Sequence, residues 1–541
     1  MIKRYFYIPS IADIFFIVIF LYLSFWGGPR LLIDCDTGYH IRAGEFIIGS
    51  VSVPRYDIFS FISPPLPWIA HEWLSEVIMA SVHRLLGLTG IVVLFAFVIS
   101  LTASFFFQVI RSYKRDIILS ALLVALVVGS TQVHWLARPH IFALFFLVIW
   151  YYVLDLYQYR GKNYLYVLLI VLLFWVNVHG GFIVSFLLTG IYLFGNVVKT
   201  IMAGREDKAK WLKNTKDLGF IMTLCFLISF INPYGYKILL FPFSLMSSTF
   251  IMNNIGEFLS PNFHRMMPFT YLLYLLITIF AVSKLRLNII EALLIVMFTH
   301  MALYSVRFIP IFAIISAPII LKRADELIAK SKGIVCNFLK NRTNNITHVE
   351  AASRGHIWPI VTILLVVILS LNGKIAYSFD SAIKPADAAA FLNREKLTGN
   401  MFNEREFGDY IIYSLWPKYQ VFTDGRADVY GEEKMKEYFK VVRIEAGWNQ
   451  VLSKYNINWI IHNTNSMLSI FLLEREDWKI IYADNVASIF VRNTPENQYI
   501  INKYAYVEKM VKNIDGCDRI VRREKIFSPL SPPSPTVGRG K

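Results

Sequence analysis

The sequence predicts a mainly α-helical, polytopic membrane protein of about eleven transmembrane helices, with a small α/β domain at its C-terminal end. Three observations predict it. The first is composition: of 541 residues, 56% are hydrophobic, 16% aromatic and only 17% charged, whereas a soluble domain carries roughly 25% charged residues. A mean hydropathy of +0.49 agrees. These values exclude a disordered chain, a collagen-like chain, a coiled coil and an ordinary cytosolic enzyme. The second is a series of apolar runs near the length that crosses a hydrocarbon core. The third is a shift, from Lys374 onward, to mixed and charged composition.

The apolar runs lie near 11–27, 90–110, 117–134, 140–157, 164–178, 182–200, 218–232, 268–283, 288–305, 307–321 and 358–373. The first lacks a small-residue cleavage site and runs into Trp26-Gly27-Gly28-Pro29, so it reads as a span and not as a signal peptide. Residues 1–373 form the membrane domain, and 28–89 are its long first outer loop. Lys237 to Phe258 reads as an amphipathic segment lying on the membrane. Residues 374–527 form the α/β domain. Val421-Phe422-Thr423-Asp424, Trp459-Ile460-Ile461-His462 and Val486–Val491 read as strands, and Lys384–Asn393 and Glu432–Val442 as helices. The Pro-, Ser- and Gly-rich tail, 528–541, reads as disordered. No internal repeat is visible.

The chain carries 54 Lys and Arg against 38 Asp and Glu, a net charge of +16. The basic residues sit in short loops between apolar runs, so the charge reports topology and not nucleic-acid binding. With the N-terminus inside, the inner loops hold Lys3, Arg4, Arg111, Lys114, Arg115, Arg160, Lys162, the 199–216 cluster, Lys284, Arg286 and the run from Lys322 to Arg354. The outer loops hold far fewer. The reading is a multi-pass protein of the inner (plasma) membrane, N-terminus cytoplasmic and C-terminal domain extracytoplasmic. The four cysteines, Cys35, Cys225, Cys336 and Cys517, form no CxxC pair.

Polar residues of chemical interest fall on the outer side. The first loop contains Asp34-Cys35-Asp36-Thr37-Gly38-Tyr39-His40-Ile41-Arg42, then His71-Glu72-Trp73. Other outer loops supply His134, Arg138-Pro139-His140, Asn177-Val178-His179-Gly180-Gly181, His264 and Arg307. Asp34 and Asp36, one residue apart beside a span, can hold a divalent cation such as Mg or Mn through hard oxygen ligands. One of them can instead act as a base. They can also simply cap helices. Arg138 and Arg307 can clamp a phosphate with their fixed donor fork, or snorkel to headgroups. His179 reads as a hydrogen-bond partner for a sugar or phosphate, or as a helix-end cap. Asp424-Gly425-Arg426-Ala427-Asp428 follows a predicted strand and reads as a turn with a salt bridge in preference to a ligand contact. No phosphate-binding glycine loop, GxSxG or HExxH is present.

The first loop resembles the membrane-embedded glycosyltransferases of the GT-C superfamily, in particular their protein O-mannosyltransferase and aminoarabinose-transferase branches. The likeness rests on Asp36, Tyr39 or His40, and Ala43 at the family's spacing, on Pro64-Pro65-Leu66 with Trp68, and on Trp73-Leu74 running to Leu85-Leu86-Gly87. The chain departs from it at Thr37, where Glu is common, and at Ser63, where Lys is common. The arrangement is also similar to a group of uncharacterised bacterial membrane proteins. The resemblance implies a polyprenyl-phosphate-linked sugar donor in a membrane lipid setting and inverting transfer to an acceptor hydroxyl or amine on the outer face. It implies Asp36 as base, with Asp34 or Glu72 orienting it or helping to hold a metal. His40, Arg42, His71, Arg138, His140, His179 and Arg307 are the implied substrate-binding residues. Two other classes compete, a lipid or glycan transporter and a non-catalytic envelope assembly scaffold. Asp13, Asp155 and Glu291 lie near predicted inner ends and not at the midplane, which counts against ion-coupled transport. An anchor has no use for the outer cluster of acids and histidines.

Overall fold

The structure, a computed structural model, describes residues 6–34, 36–283, 286–330 and 334–512; the tail at 528–541 and Cys517 lie outside the described residues. The chain falls into two compact units. Counted over the described residues, one comprises 6–34, 43–53 and 69–378, and the other 36–42, 54–68 and 379–512.

The first unit is helical. Five of its helices are long and apolar enough to cross a membrane: Ile11–Leu31, Trp73–Arg111, Ile117–His134, His140–Arg160 and Gly180–Met202. Shorter apolar helices follow at Tyr166–Val178, Lys237–Ser247, Pro268–Val282, Ile289–Tyr304 and Ile357–Leu371. Each long helix buries about half of its apolar window against its neighbours. Long and short helices alike present large apolar side chains outward, among them Leu122 on a long helix and Ile170, Phe220, Ile277, Val296 and Leu364 on others. A face of that extent is unstable in water and matches lipid. The chain is therefore a multi-pass membrane protein.

Three sequence expectations change here. The first outer loop, 28–89, is not loop throughout. It contains a helix at Asp36–Ser50, and the helix expected at 90–110 begins at Trp73. That 39-residue helix kinks at Gly87, whose φ of 58° lies in the region that favours glycine. The span expected at 218–232 belongs to a helix, Arg205–Ile228, that starts in the charged 205–216 stretch. The basic run expected as an inner loop contains a further helix, Ile334–Ala352.

The second unit contains a four-stranded mixed sheet. Its strands are β1 (Asn400–Asn403), β2 (Ile457–Asn463), β3 (Trp478–Ala483) and β4 (Ala487–Arg492), in the order β1-β2-β4-β3. β1 pairs parallel with β2, and the other pairs are antiparallel. Burial of β2 and β4 is nearly continuous, the pattern of strands covered on both faces. The expected strands at 459–462 and 486–491 are β2 and β4. The expected helices correspond to Ala386–Glu395 and Ala427–Val442. The expected strand at 421–424 is not one. Val421 makes an isolated parallel bridge with Ser60, and the neighbouring backbone is satisfied by a side chain: Asn403 Oδ1 accepts from Phe422 N at 2.8 Å, and Asn403 Nδ2 donates to Thr423 O at 2.7 Å.

Glu404 joins β1 to the end of β2. Its backbone N donates to Ile461 O at 3.0 Å, and its Oε2 accepts from Asn463 N at 2.8 Å. Burial pushes its carboxyl up to about 7, against the Asn463 hydrogen bond. A folded pKa above the unfolded value of 4.5 means that this stabilisation is complete below 4.5 and is lost as pH rises through about 7. Thermal unfolding should therefore show a loss of about 3 kcal/mol between pH 5 and 8. Glu404→Gln should flatten that slope. Equal slopes in wild type and variant would remove Glu404 as its cause.

Candidate functional site

Asp34 and Asp36, neighbours in sequence, belong to different units. The site residues expected from sequence accordingly form two groups.

In the first unit they make a network of cations and acids at loop–helix junctions. Arg138 sits in the short connection before the His140–Arg160 helix. Its Nη1 donates to Asp34 Oδ2 at 2.8 Å and to Glu257 Oε1 at 3.2 Å. Arg307 approaches the same Glu257, with Nε 3.8 Å from Oε2. Ser305 sets this geometry: its Oγ accepts from Arg307 N at 3.3 Å and donates to Glu257 O at 3.0 Å. Burial opposes the charge of Glu257, but Arg138 and Arg307 hold its carboxyl well below the ordinary range. His140 Nε2 lies 2.7 Å from His134 O, which fixes that ring.

His179 ends the Tyr166–Val178 helix in an extended conformation. Its Nδ1 accepts from Gly181 N at 2.9 Å, so the proton is assigned to Nε2, which faces Glu72 Oε1 at 3.4 Å. Burial holds His179 well below the ordinary histidine range, and Arg307, His140 and His71 add to this. His71 brings its Nε2 to 3.7 Å from Glu72 Oε2. Trp73 Nε1 donates to Asn177 Oδ1 at 2.9 Å, and Ser75 Oγ to Val178 O at 2.8 Å. These bonds hold the His71-Glu72 segment beside His179. All seven expected residues of this unit, Asp34, His71, Glu72, Arg138, His140, His179 and Arg307, thus enter charge or ring contacts with one another or with Glu257 and His134. Glu257 was missed. It lies in the segment read as amphipathic, where a single acid carries no signal.

In the second unit, Asp36 opens the Asp36–Ser50 helix and is 8% exposed. A Cβ added to Gly425 would fall on Asp36 Oδ1 and lie 3.2 Å from Asp409 Oδ2. Gly425 N donates to both oxygens of Asp409, at 3.0 and 3.1 Å. Asp36 and Asp409 therefore flank one glycine, and the charge of Arg405 is felt by both. His40 is fully buried, its ring 4.1 Å from that of Tyr39. Arg42 Nε donates to Tyr413 O at 2.7 Å.

Beside this lies a buried ion triad. Arg426 makes a two-point contact with Asp424, Nε to Oδ1 at 2.9 Å and Nη2 to Oδ2 at 2.6 Å, and its Nη2 also donates to Asp57 Oδ1 at 2.7 Å. The guanidinium lies over the rings of Phe59 and Trp68 at 4.8 and 4.6 Å. The salt-bridged turn expected at 424–428 is present, and it includes Asp57. Asp409 was missed as well. Its signal is an acid beside the apolar stripe of the Arg405–Leu415 helix, whose buried residues include Phe407, Ile411, Ile412 and Leu415.

As for a cation, the carboxylate of Asp34 is taken up by Arg138, and among the described residues no three His, Cys, Asp or Glu side chains are grouped to hold a metal ion.

The chain's fold is similar to that of the Archaeoglobus fulgidus oligosaccharyltransferase in its apo form, with a TM-score of 0.54 and 13% identity over 84% of this chain and 69% of that one. ArnT from Cupriavidus metallidurans in the apo state is similar at a TM-score of 0.41 and 13% identity, over 88% of this chain and 97% of that one. No family model and no curated protein sequence matches the chain. At 13% identity the likeness is one of fold, to a membrane glycosyltransferase of the kind the first-loop resemblance implied.

Proposed function

We propose that this protein is an integral membrane glycosyltransferase. It moves a sugar from a polyprenyl-phosphate-linked donor to an acceptor hydroxyl or amine on the extracytoplasmic face of the plasma membrane, with inversion. Asp36 carries the reading. In a chain of GT-C fold, it stands at the position the resemblance gives to the base, at a helix start, with its carboxylate buried against Gly425. The Asp36 carboxylate takes the proton of the acceptor O–H or N–H as that atom attacks the anomeric carbon. The bond from that carbon to the phosphate oxygen breaks, and the lipid phosphate leaves with its electrons. Negative charge grows on the leaving phosphate, and Arg138 and Arg307 are the cations assigned to it. In the resting protein they share Glu257, whose charge a phosphate would replace. Glu72 and His179 are assigned to donor orientation.

The experiment is release of polyprenyl phosphate from a panel of lipid-linked sugars by purified protein in lipid. Turnover by wild type that collapses in Asp36→Asn, with folding intact, supports the reading. Equal turnover in wild type, Asp36→Asn and Asp34→Asn overturns it in favour of a scaffold or transporter. Gly425→Ala provides a second arm, because its Cβ must push the Asp36 carboxylate aside. A displacement of about 1 Å is expected to cost about a hundredfold in turnover. Wild-type turnover in Gly425→Ala would remove Asp36 from the reacting position.

A further inference from the structure

The His140–Arg160 helix has a polar cluster at each end. At 1.5 Å per residue its 21 residues cover about 30 Å, a membrane core's thickness. Around the Asp155–Arg160 end lies a cavity of about 500 Å³, within the ordinary size range of small-molecule sites. Five cationic side chains line it, Lys114, Arg115, Arg160, Lys162 and Lys322, against the carboxylates of Asp155 and Glu291. Glu291 is already matched, accepting from Lys322 Nζ at 3.0 Å and from Arg323 Nη2 at 2.9 Å. Lys114 and Lys162 are exposed and make no ion pair among the described residues.

Three donors and one acceptor end blind there. The hydroxyls of Tyr113 and of Tyr192, a residue 1% exposed, and Nη2 of Arg160 are buried without a hydrogen-bond partner, as is Asp155 Oδ2, which lies 3.9 Å from Arg160 Nε. Arg160 is nevertheless held: Nη1 donates to Ser112 O at 2.9 Å, and the guanidinium stacks over Tyr113 at 4.5 Å. A buried donor without a partner costs about 1–3 kcal/mol. Three such donors against the single oxygen of Asp155, inside a cation-rimmed cavity, leave a place for an added acceptor that carries negative charge.

We propose that this cavity binds a phosphate group, at the end of the bundle opposite His140. The ligand is a phosphate-bearing lipid headgroup or free phosphate. Arg160 offers its unpartnered Nη2, Tyr192 its hydroxyl, and Lys114 and Lys162 long-range attraction at the mouth. Leu294, Pro318 and Ile319 complete the wall with the apolar surface a lipid phosphate needs. The site takes no part in the proposed transfer reaction and stands or falls independently of it.

The test uses the purified full chain in neutral detergent. Binding of phosphatidic acid is compared with that of diacylglycerol, which differs only in lacking the phosphate. Phosphatidic acid is expected to bind at least about tenfold more tightly, and Tyr192→Phe, which removes one oxygen, to weaken it about tenfold. Lys114→Ser with Lys162→Ser should weaken it further and reduce its salt dependence. Competition by inorganic pyrophosphate would assign the site to phosphate itself, and failure to compete would assign it to a lipid phosphate; both results keep the proposal. Equal affinities for the two lipids, or unchanged phosphatidic acid binding in Tyr192→Phe and in the double lysine variant, would overturn it.

Discussion

Asp36→Asn is expected to lower sugar transfer by about 10²- to 10⁴-fold, the contribution of a general base, and to leave unfolding unchanged. The substitution keeps size and shape and removes the group that accepts the proton. The carboxylate has company that fixes where it points. Gly425 lies against it, and Asp409 holds Gly425 in place through two hydrogen bonds from its backbone N–H. Asp34→Asn is the control, because Asp34 pairs with Arg138 and Arg138 keeps Glu257 at 3.2 Å. Its loss should cost about tenfold, the lower end for one charged hydrogen bond at a largely buried site. A larger loss in Asp34→Asn than in Asp36→Asn would exchange the roles of the two aspartates. The readout is polyprenyl phosphate release, with the unfolding temperature measured in parallel.

What could be read from sequence depended on how local the cause was. The membrane helices are visible because lipid imposes apolar length on each separately. β2 and β4 are visible because each centres on a short apolar, β-branched or aromatic run, Trp459-Ile460-Ile461 and Ile489-Phe490-Val491. β1 is four residues with Asn at both ends, and its pairing partner lies more than fifty residues away, so no local pattern announces it. Val421 to Asp424 looks like a strand and is buried like one, but Asn403 takes the place of a ladder neighbour. The arginines and histidines at the span ends were legible as a set, since ionisable groups there need a reason. The acids that organise them were not. Glu257 and Asp409 gain meaning only when the chain brings Arg138 and Arg307, or Gly425, to them.

Arg426→Ala is expected to destabilise the protein by about 3–5 kcal/mol, because it leaves the carboxylates of Asp424 and Asp57 buried without their counter-charge. Arg426, Asp57 and Asp424 have side chains 2%, 1% and 0% exposed. Burial opposes the charge on Asp57, yet the guanidinium keeps its carboxyl below the ordinary range. Asp57 in turn accepts from Phe59 N at 3.1 Å and Ser60 N at 3.0 Å, so the fold of the 54–68 segment hangs on the triad. Arg426→Lys should recover little, because an ammonium cannot make the two-point contact with Asp424 and the bond to Asp57 together. Denaturant unfolding of the full chain measures the loss, and Trp68, 4.6 Å from the guanidinium, supplies a fluorescence probe of the local change. A loss under 1 kcal/mol would show that the two aspartates take up protons and that the triad contributes nothing net. Because Arg426 follows Gly425, its removal should also shift the glycine that positions Asp36. Arg426→Ala is therefore expected to lose stability and turnover together, whereas Asp36→Asn loses turnover alone. That contrast separates the residue that accepts the proton from the residue that holds it in place.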